Sequence, residues 1–208
     1  MNTVLVTGFQ PFGEWTDNPS QSIAEVLDGC EIAGYRVTGL VLPVVFGEDI
    51  ALVLPAIQEL KPALVLSFGL DAGAKSVNVE MFAINHRVSE KGGPLIPIIP
   101  AVPAAYFATI DIDAVVAAIT DKTNVPTSRH GYAGTYLCNH IFYQTLHYCA
   151  EHQLQTKVGF IHVPKTMIAP SDAANWKPPI LDELVEAARV AVGAIVQDRD
   201  TTKVSSLK

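Results

Sequence analysis

Cys138 is the residue of this 208-residue chain whose type and position point most directly to chemistry. Gly131 and Gly134 precede it, and apolar residues recur at helical spacing from Leu137 to Cys149. Cys138 is therefore expected in or beside the first turn of a helix, where free N–H groups and the helix dipole stabilise a thiolate or an oxyanion. This position predicts a nucleophile, although Cys138 also falls on the apolar face, where a free cysteine is commonly a small buried hydrophobe.

The other two cysteines lack that position. Cys149 lies further along the apolar face of the same helix and is expected to be structural, whereas Cys30 follows Gly29 in a loop. Three cysteines are an odd number without the spacing of a disulfide framework. Reduced thiols in a cytosol fit this usage best.

A nucleophilic cysteine needs a base, and His162 is the histidine best placed for that role. It lies near the carboxyl end of the apolar run Val158–Val163, where the sites of open α/β sheets gather. A histidine inside an apolar strand is usually a satisfied core residue, but together with Cys138 it becomes a credible base. His140 is a poor candidate, because a residue two positions after Cys138 points to the opposite side of the helix.

Glu80 is a carboxylate inside the apolar run Asn78–Asn85. A buried carboxylate is costly unless it has a partner. A hydrogen bond that orients the imidazole of His162 would supply that partner and make Glu80 the third member of a triad. The alternative is a structural carboxylate paired with a nearby cation such as Arg87.

The loop Gly8–Gly13 has two glycines at the spacing of a phosphate-binding loop. Such a loop continues with Lys and then Ser or Thr, whereas Glu14 and Trp15 follow here, and the G-x-G-x-x-G pattern of dinucleotide binding is absent. What remains is a loop at the carboxyl end of a strand that presents Phe9 and Phe12. The two rings are equally consistent with a binding loop and with ordinary core packing.

Metal binding is not expected. The only cluster of candidate ligands is His147, Cys149, Glu151 and His152, and no second ligand pair or H-E-x-x-H pattern accompanies it. We interpret this cluster as a solvated helix end.

The elements that must position these residues alternate between β-branched runs and runs of helical period. Strands are predicted at Val4–Thr7, Tyr35–Leu42, Ala63–Phe68, Val77–Ile84 and Val158–Val163. Helices are predicted after Asn18-Pro19, over Glu48–Leu60 with a kink at Pro55, after Asp111, over Thr135–Cys149, and from Leu181 to Ile195. The segment Gly92–Pro103 contains four prolines and is expected to be an extended loop. With no repeat and no polar linker, residues 1–208 are predicted to form one α/β domain with helices on both faces of a sheet.

The composition excludes several classes of protein. Apolar residues make up 49% of the chain and charged residues 17%, so a disordered chain is excluded. The net charge of −7 argues against nucleic-acid and anionic-membrane partners. No apolar run is long enough to span a membrane, and the N-terminus lacks an export signal, which indicates a cytoplasmic protein. The scarcity of charge suggests that apolar surface is buried between subunits.

Six segments together resemble the pyroglutamyl peptidase I family of cysteine peptidases, and their order and spacing carry the resemblance. They are Val6–Gly13 with Asn18–Ser20, Leu42–Phe46, Glu80 with Ala83–Asn85, Pro103–Tyr106, Ala133–Tyr143 and Gly159–Pro164.

The resemblance implies a cysteine exopeptidase that removes N-terminal pyroglutamyl residues from peptides without a cofactor. It implies a three-layer α-β-α sandwich around a mostly parallel, mixed and twisted sheet, in a cytoplasmic protein that forms homotetramers. By the same resemblance the nucleophile, base and third member are Cys138, His162 and Glu80. The substrate site is assigned to Phe9, Phe12, Tyr136 and Leu137. The apolar segment Pro94–Pro103 is then expected in a subunit contact.

The chain also departs from the family pattern. Met81-Phe82 replaces the usual Arg-Val before Ala83–Asn85, and Glu90 stands where an Arg is usual. These departures leave open a catalytically silent homologue that binds small ligands or partners. A nucleoside phosphorylase-like or esterase-like enzyme is a further alternative, although the G-x-S-x-G pattern of an esterase is absent.

Overall fold

The computed structural model describes residues 2–89, 93–166 and 178–205, with side chains described up to residue 198. Its centre is an eight-stranded sheet in the order β2-β3-β1-β4-β8-β5-β6, with β7 paired to β5. The strands are β1 Thr3–Phe9, β2 Glu31–Ile32, β3 Tyr35–Leu42, β4 Leu64–Leu70, β5 Val77–Ile84, β6 Ala105–Phe107, β7 Thr127–Tyr132 and β8 Lys157–Val163. The four strands β3, β1, β4 and β8 run parallel, and β5 pairs antiparallel with β8 and parallel with β7.

Helices cover both faces of the sheet. They are α1 Pro19–Leu27, α2 Glu48–Leu60, α3 Ile112–Lys122, α4 Leu137–Glu151 and α5 Leu181–Ser205. One apolar core lies between the sheet and α1, α3 and α5, and a second lies between the sheet and α2 and α4. The expected three-layer α-β-α sandwich around a mixed, mostly parallel sheet is therefore confirmed.

Local sequence signals explain most element boundaries. The side chain of Asn18 accepts a hydrogen bond from the Ser20 N–H, and that of Asp111 accepts one from the Ala114 N–H, so both predicted helix caps are confirmed. Helix α4 begins two residues later than predicted, after Gly134 at a φ of +76°. Within the described residues 93–103, the proline-rich segment forms no strand, as predicted.

Three short strands were not predicted, namely β2, β6 and β7. The sequence of β7, TSRHGY, contains no apolar run, and the strand is exposed over most of its length. Its pairing with β5 depends on backbone hydrogen bonds, which leave little signal in side-chain hydropathy.

No helix among the described residues combines the length and the apolar character needed to cross a membrane.

Gly8 allows β1 to approach α1 closely. A Cβ atom at this position would lie only 1.8 Å from the carbonyl oxygen of Ser20. At the same contact, the backbone N–H of Phe9 donates to the Ser20 hydroxyl at 3.0 Å. The start of α1 therefore fixes the end of β1, from which the first loop departs.

We expect Gly8→Ala to lower the free energy of unfolding by about 3 kcal/mol, because backbone atoms must move to admit the methyl group. Gly131→Ala is the matched control, since its Cβ would meet nothing within 4 Å. Chemical denaturation of both variants measures the difference. Equal stability of the two variants would contradict the proposed close contact.

Candidate active site

A cavity of about 400 Å³ opens at the carboxyl ends of β1, β4 and β8, beside the first turn of α4. Six of the residues predicted for the site line it, namely Phe9, Phe12, Tyr136, Leu137, Cys138 and His162. Glu80, the seventh, is fully buried behind His162. Phe9 lines the cavity and also belongs to the apolar core.

Cys138 is the second residue of α4, in the first turn as predicted. The preceding Tyr136 makes no side-chain capping hydrogen bond, so it leaves the N–H groups of this turn available to a ligand. Gly69 of β4 lies directly against the thiol, because a Cβ at Gly69 would be 2.7 Å from the Cys138 Sγ. Only a glycine leaves room for the sulfur there, and sequence reasoning did not identify this residue.

His162 lies between the thiol and the carboxylate. Its Nδ1 is 2.7 Å from the Oε1 of Glu80, and its ring lines the same cavity as the Cys138 thiol. Burial by itself lowers the pKa of His162, because it penalises the charged ring. The negative charge of Cys138 and its hydrogen bond, followed by the hydrogen bond and charge of Glu80, outweigh burial and raise the pKa of His162 well above its usual value. These contacts therefore favour the protonated form of the His162 ring.

Glu80 has two imidazole partners. Besides His162, the Nδ1 of His130 lies 3.0 Å from its Oε1 and 2.9 Å from its Oε2. Arg87, the cation considered as an alternative partner, instead places its guanidinium 4.4 Å from the centre of the Phe46 ring. His130 was missed because its strand, β7, was not predicted.

The buried amide of Asn139 ties α4 to the end of β5. Its Oδ1 accepts from the Ile84 N–H at 2.9 Å, and its Nδ2 donates to the carbonyls of Ile84 and His86, each at 2.9 Å. Because Asn139 follows Cys138 directly, these three bonds fix the thiol relative to the strand that carries Glu80. Sequence reasoning did not identify Asn139, because its partners, Ile84 and His86, lie on another segment of the chain.

The other histidine near the thiol has a separate partner. His140 places its Nδ1 2.7 Å from the Oδ2 of Asp49 in α2, and both side chains are buried. Its ring thus faces away from the cavity, as the spacing from Cys138 predicts.

The remaining cysteines lie apart from these groups. Cys149 is buried on the apolar face of α4, and burial raises the pKa of its thiol to about 11. Cys30 lies in the loop before β2, with its Sγ 3.4 Å from the carbonyl oxygen of Val26.

The interpretation of the His147 cluster as a solvated helix end is wrong for His147 itself. Its side chain is 14% exposed, its Nδ1 lies 3.0 Å from the hydroxyl of Tyr106, and its ring stacks on Tyr143. The error arose because β6, which carries Tyr106 and covers this side of α4, was not predicted. Among the described residues, no group of three or more His, Cys, Asp and Glu side chains is arranged to hold a metal ion.

Of the positions that depart from the family pattern, the structure describes Met81 and Phe82. Phe82, at the position of the usual Val, stacks on Tyr132 with ring centres 6.0 Å apart and meets Phe107 edge-on. Met81 precedes it in β5. Glu90 lies outside the described residues.

A thiol, an imidazole and a buried carboxylate beside one cavity are the groups that a nucleophilic hydrolase uses. The chain matches the family model described as pyroglutamyl peptidase over residues 2–198. It therefore belongs to the pyroglutamyl peptidase family, a family of cysteine peptidases, as the sequence motifs predict. The alternative of a phosphorylase-like or esterase-like enzyme is wrong.

Individual relatives agree with this family. A pyrrolidone-carboxylate peptidase of Escherichia fergusonii is 42% identical over 170 residues, which cover 79% of this chain and 78% of the relative. That of Pyrococcus furiosus is 35% identical over 205 residues, which cover 94% and 98%. Among solved structures, the pyrrolidone carboxyl peptidase from Thermococcus litoralis has a TM-score of 0.89 at 30% identity and covers 97% of this chain and 96% of its own. A mutant of the Pyrococcus furiosus enzyme has a TM-score of 0.85 at 32% identity, with 94% and 99% covered.

The raised pKa of His162 predicts that its ring stays protonated above pH 7, where an ordinary histidine, with a pKa of about 6.5, is mostly neutral. The protonated ring therefore stabilises the folded state fully below about pH 6.5, and this contribution is lost as the pH rises through the raised folded value. Histidine-selective NMR titration measures the ring directly, and Cys138→Ser should lower the pKa of His162 by removing one anion. A wild-type ring that titrates near 6.5 would contradict this reading of the site.

Proposed function

We propose that this chain hydrolyses the peptide bond after an N-terminal pyroglutamyl residue, with Cys138 as nucleophile, His162 as acid and base, and Glu80 as the group that orients His162. The observation that carries the proposal is the position of the His162 ring, which lines one cavity with the Cys138 thiol and hydrogen-bonds to the buried carboxylate of Glu80. Membership of the pyroglutamyl peptidase family supports the choice of substrate.

The reaction follows from this arrangement in two steps. The Cys138 thiolate attacks the carbonyl carbon of the pyroglutamyl residue, and the N–H groups of the first turn of α4 face the oxyanion that forms. The imidazolium of His162 gives its proton to the leaving amine as the C–N bond breaks, which leaves a thioester. Neutral His162 then takes a proton from water, the resulting attack releases pyroglutamate, and the thiolate and imidazolium are restored. Glu80 holds the ring and stabilises its charge through both steps.

The lining of the cavity suits a neutral lactam. Pyroglutamate has no α-ammonium group, so apolar walls with backbone hydrogen bonds meet its needs. Phe9 and Phe12 supply aromatic surface from the first loop, and Tyr136 and Leu137 line the cavity next to the thiol. Asp71 is also in the lining, and its Oδ1 accepts a hydrogen bond from the Gly73 N–H at 3.0 Å, within the turn that follows β4.

The same proposal covers the organisation of the protein. Residues 1–208 act as a single cofactor-free peptidase domain in the cytoplasm, and the chain assembles into a homotetramer. The low share of charged residues supports assembly, as does Leu95, which lies half exposed in the proline-rich segment proposed as a subunit contact.

Release of a fluorophore from a pyroglutamyl amide tests the reaction. We expect cleavage of this substrate and rejection of the matching free-glutamyl amide, because the two charges of free glutamate would be buried with little compensation. Cys138→Ser should abolish cleavage, whereas Cys30→Ser and Cys149→Ser should retain most of it, with folding checked by circular dichroism. Efficient cleavage of the glutamyl amide would refute the lactam pocket, and full activity of Cys138→Ser would refute the nucleophile.

Replacement of the Glu80 carboxylate tests whether this group orients His162 during the reaction. Glu80→Gln should lower kcat on the order of 10²-fold, because the amide can hold the ring only in the wrong tautomer or through a weaker bond and cannot stabilise an imidazolium. The loss is smaller than in a serine peptidase, because a cysteine depends less on its base for activation. Turnover per folded molecule and Tm are measured on one preparation. A lower Tm with unchanged turnover would make Glu80 purely structural.

A further inference from the structure

His130 is a histidine of the site to which the two-step reaction above assigns no role. It lies opposite Glu80 in the parallel pairing of β5 and β7, so the two side chains share one face of the sheet. Its ring lines the cavity and is 51% exposed, whereas Glu80 is completely buried. The ring therefore covers the carboxylate on the side that faces the cavity.

The two oxygens of Glu80 are held differently. Oε1 lies 2.7 Å from the Nδ1 of His162 and 3.0 Å from that of His130. Oε2 lies 2.9 Å from the Nδ1 of His130, which is its hydrogen-bond partner among the described residues. Without His130, a buried carboxylate oxygen would lose that partner, and the carboxyl group could turn about its final bond.

An imidazole suits this position for a further reason. A neutral histidine can donate through Nδ1–H, whereas Lys and Arg donate as cations.

We propose that His130 is a positioning residue for the reaction, which fixes the carboxylate of Glu80 so that its Oε1 stays aligned with the Nδ1 of His162. This inference rests on the proposed function. His130 acts through Glu80 and not on the substrate, so its contribution belongs to kcat and not to KM.

Two substitutions at His130 separate the effect of its hydrogen-bond donor from the effect of its side-chain volume. His130→Leu keeps a similar volume near the backbone but removes the donor, and should lower kcat about tenfold with little change in KM. His130→Asn places an amide N–H close to the position of Nδ1 and should recover most of that loss. The control is His152→Leu, which removes an exposed histidine whose Nδ1 lies 2.9 Å from the carbonyl oxygen of Tyr148, at the far end of α4, and should leave both constants unchanged.

The readouts are kcat and KM for a pyroglutamyl amide per folded molecule, with Tm measured in parallel. A fall in kcat for His130→Leu with recovery in His130→Asn supports the inference. Equal kcat for wild type and His130→Leu overturns it, and so does an equal loss in both variants or a change confined to KM or Tm. Failure of the proposed function gives a different result from failure of this inference. In that case the wild type would not cleave the pyroglutamyl amide, or Cys138→Ser would still cleave it.

Discussion

The buried carboxylate of Glu80 is the constraint on which the site depends. A charge with no exposed surface is tolerated in a protein only when hydrogen bonds and opposite charge compensate its loss of water. The compensation comes from two of the strands that pair with β5, since His162 of β8 and His130 of β7 both reach Glu80. The mixed sheet is therefore a condition of the site, because β5 must pair antiparallel with β8 and parallel with β7 to bring both imidazoles to one carboxylate.

The thiol is positioned by close backbone packing. The absence of a side chain at Gly69 lets the first turn of α4 bring Cys138 against β4, and Asn139 ties the same turn to β5. Two adjacent residues of α4 thus contact the strands on either side of β8, which carries His162. The distance between sulfur and imidazole is consequently set by the sheet.

Sequence reasoning predicted the long elements and the three groups at the centre of the site, because both leave strong local signals. Apolar runs of sufficient length identified β1, β3, β4, β5 and β8, and a charged or titratable residue inside such a run identified Glu80 and His162. The strand β7 and its His130 left no comparable signal, since an exposed strand of polar residues resembles a loop. Gly69 and Asn139 were missed for a related reason. Their roles depend on contacts with other segments, and the sequence of one segment does not show which segments become its neighbours.

The site also shows how the fold tolerates a group of buried charges. An ion pair in a protein interior contributes little net stability, because desolvation offsets most of its attraction, whereas removal of one partner leaves a costly unpaired charge. Stability must therefore come from the two apolar cores that flank the sheet. His162 lies one residue before the end of β8, and Glu80 and His130 lie within β5 and β7. In this arrangement the cores supply the free energy of folding, and the polar cluster holds the His162 ring beside the Cys138 thiol and the Glu80 carboxylate.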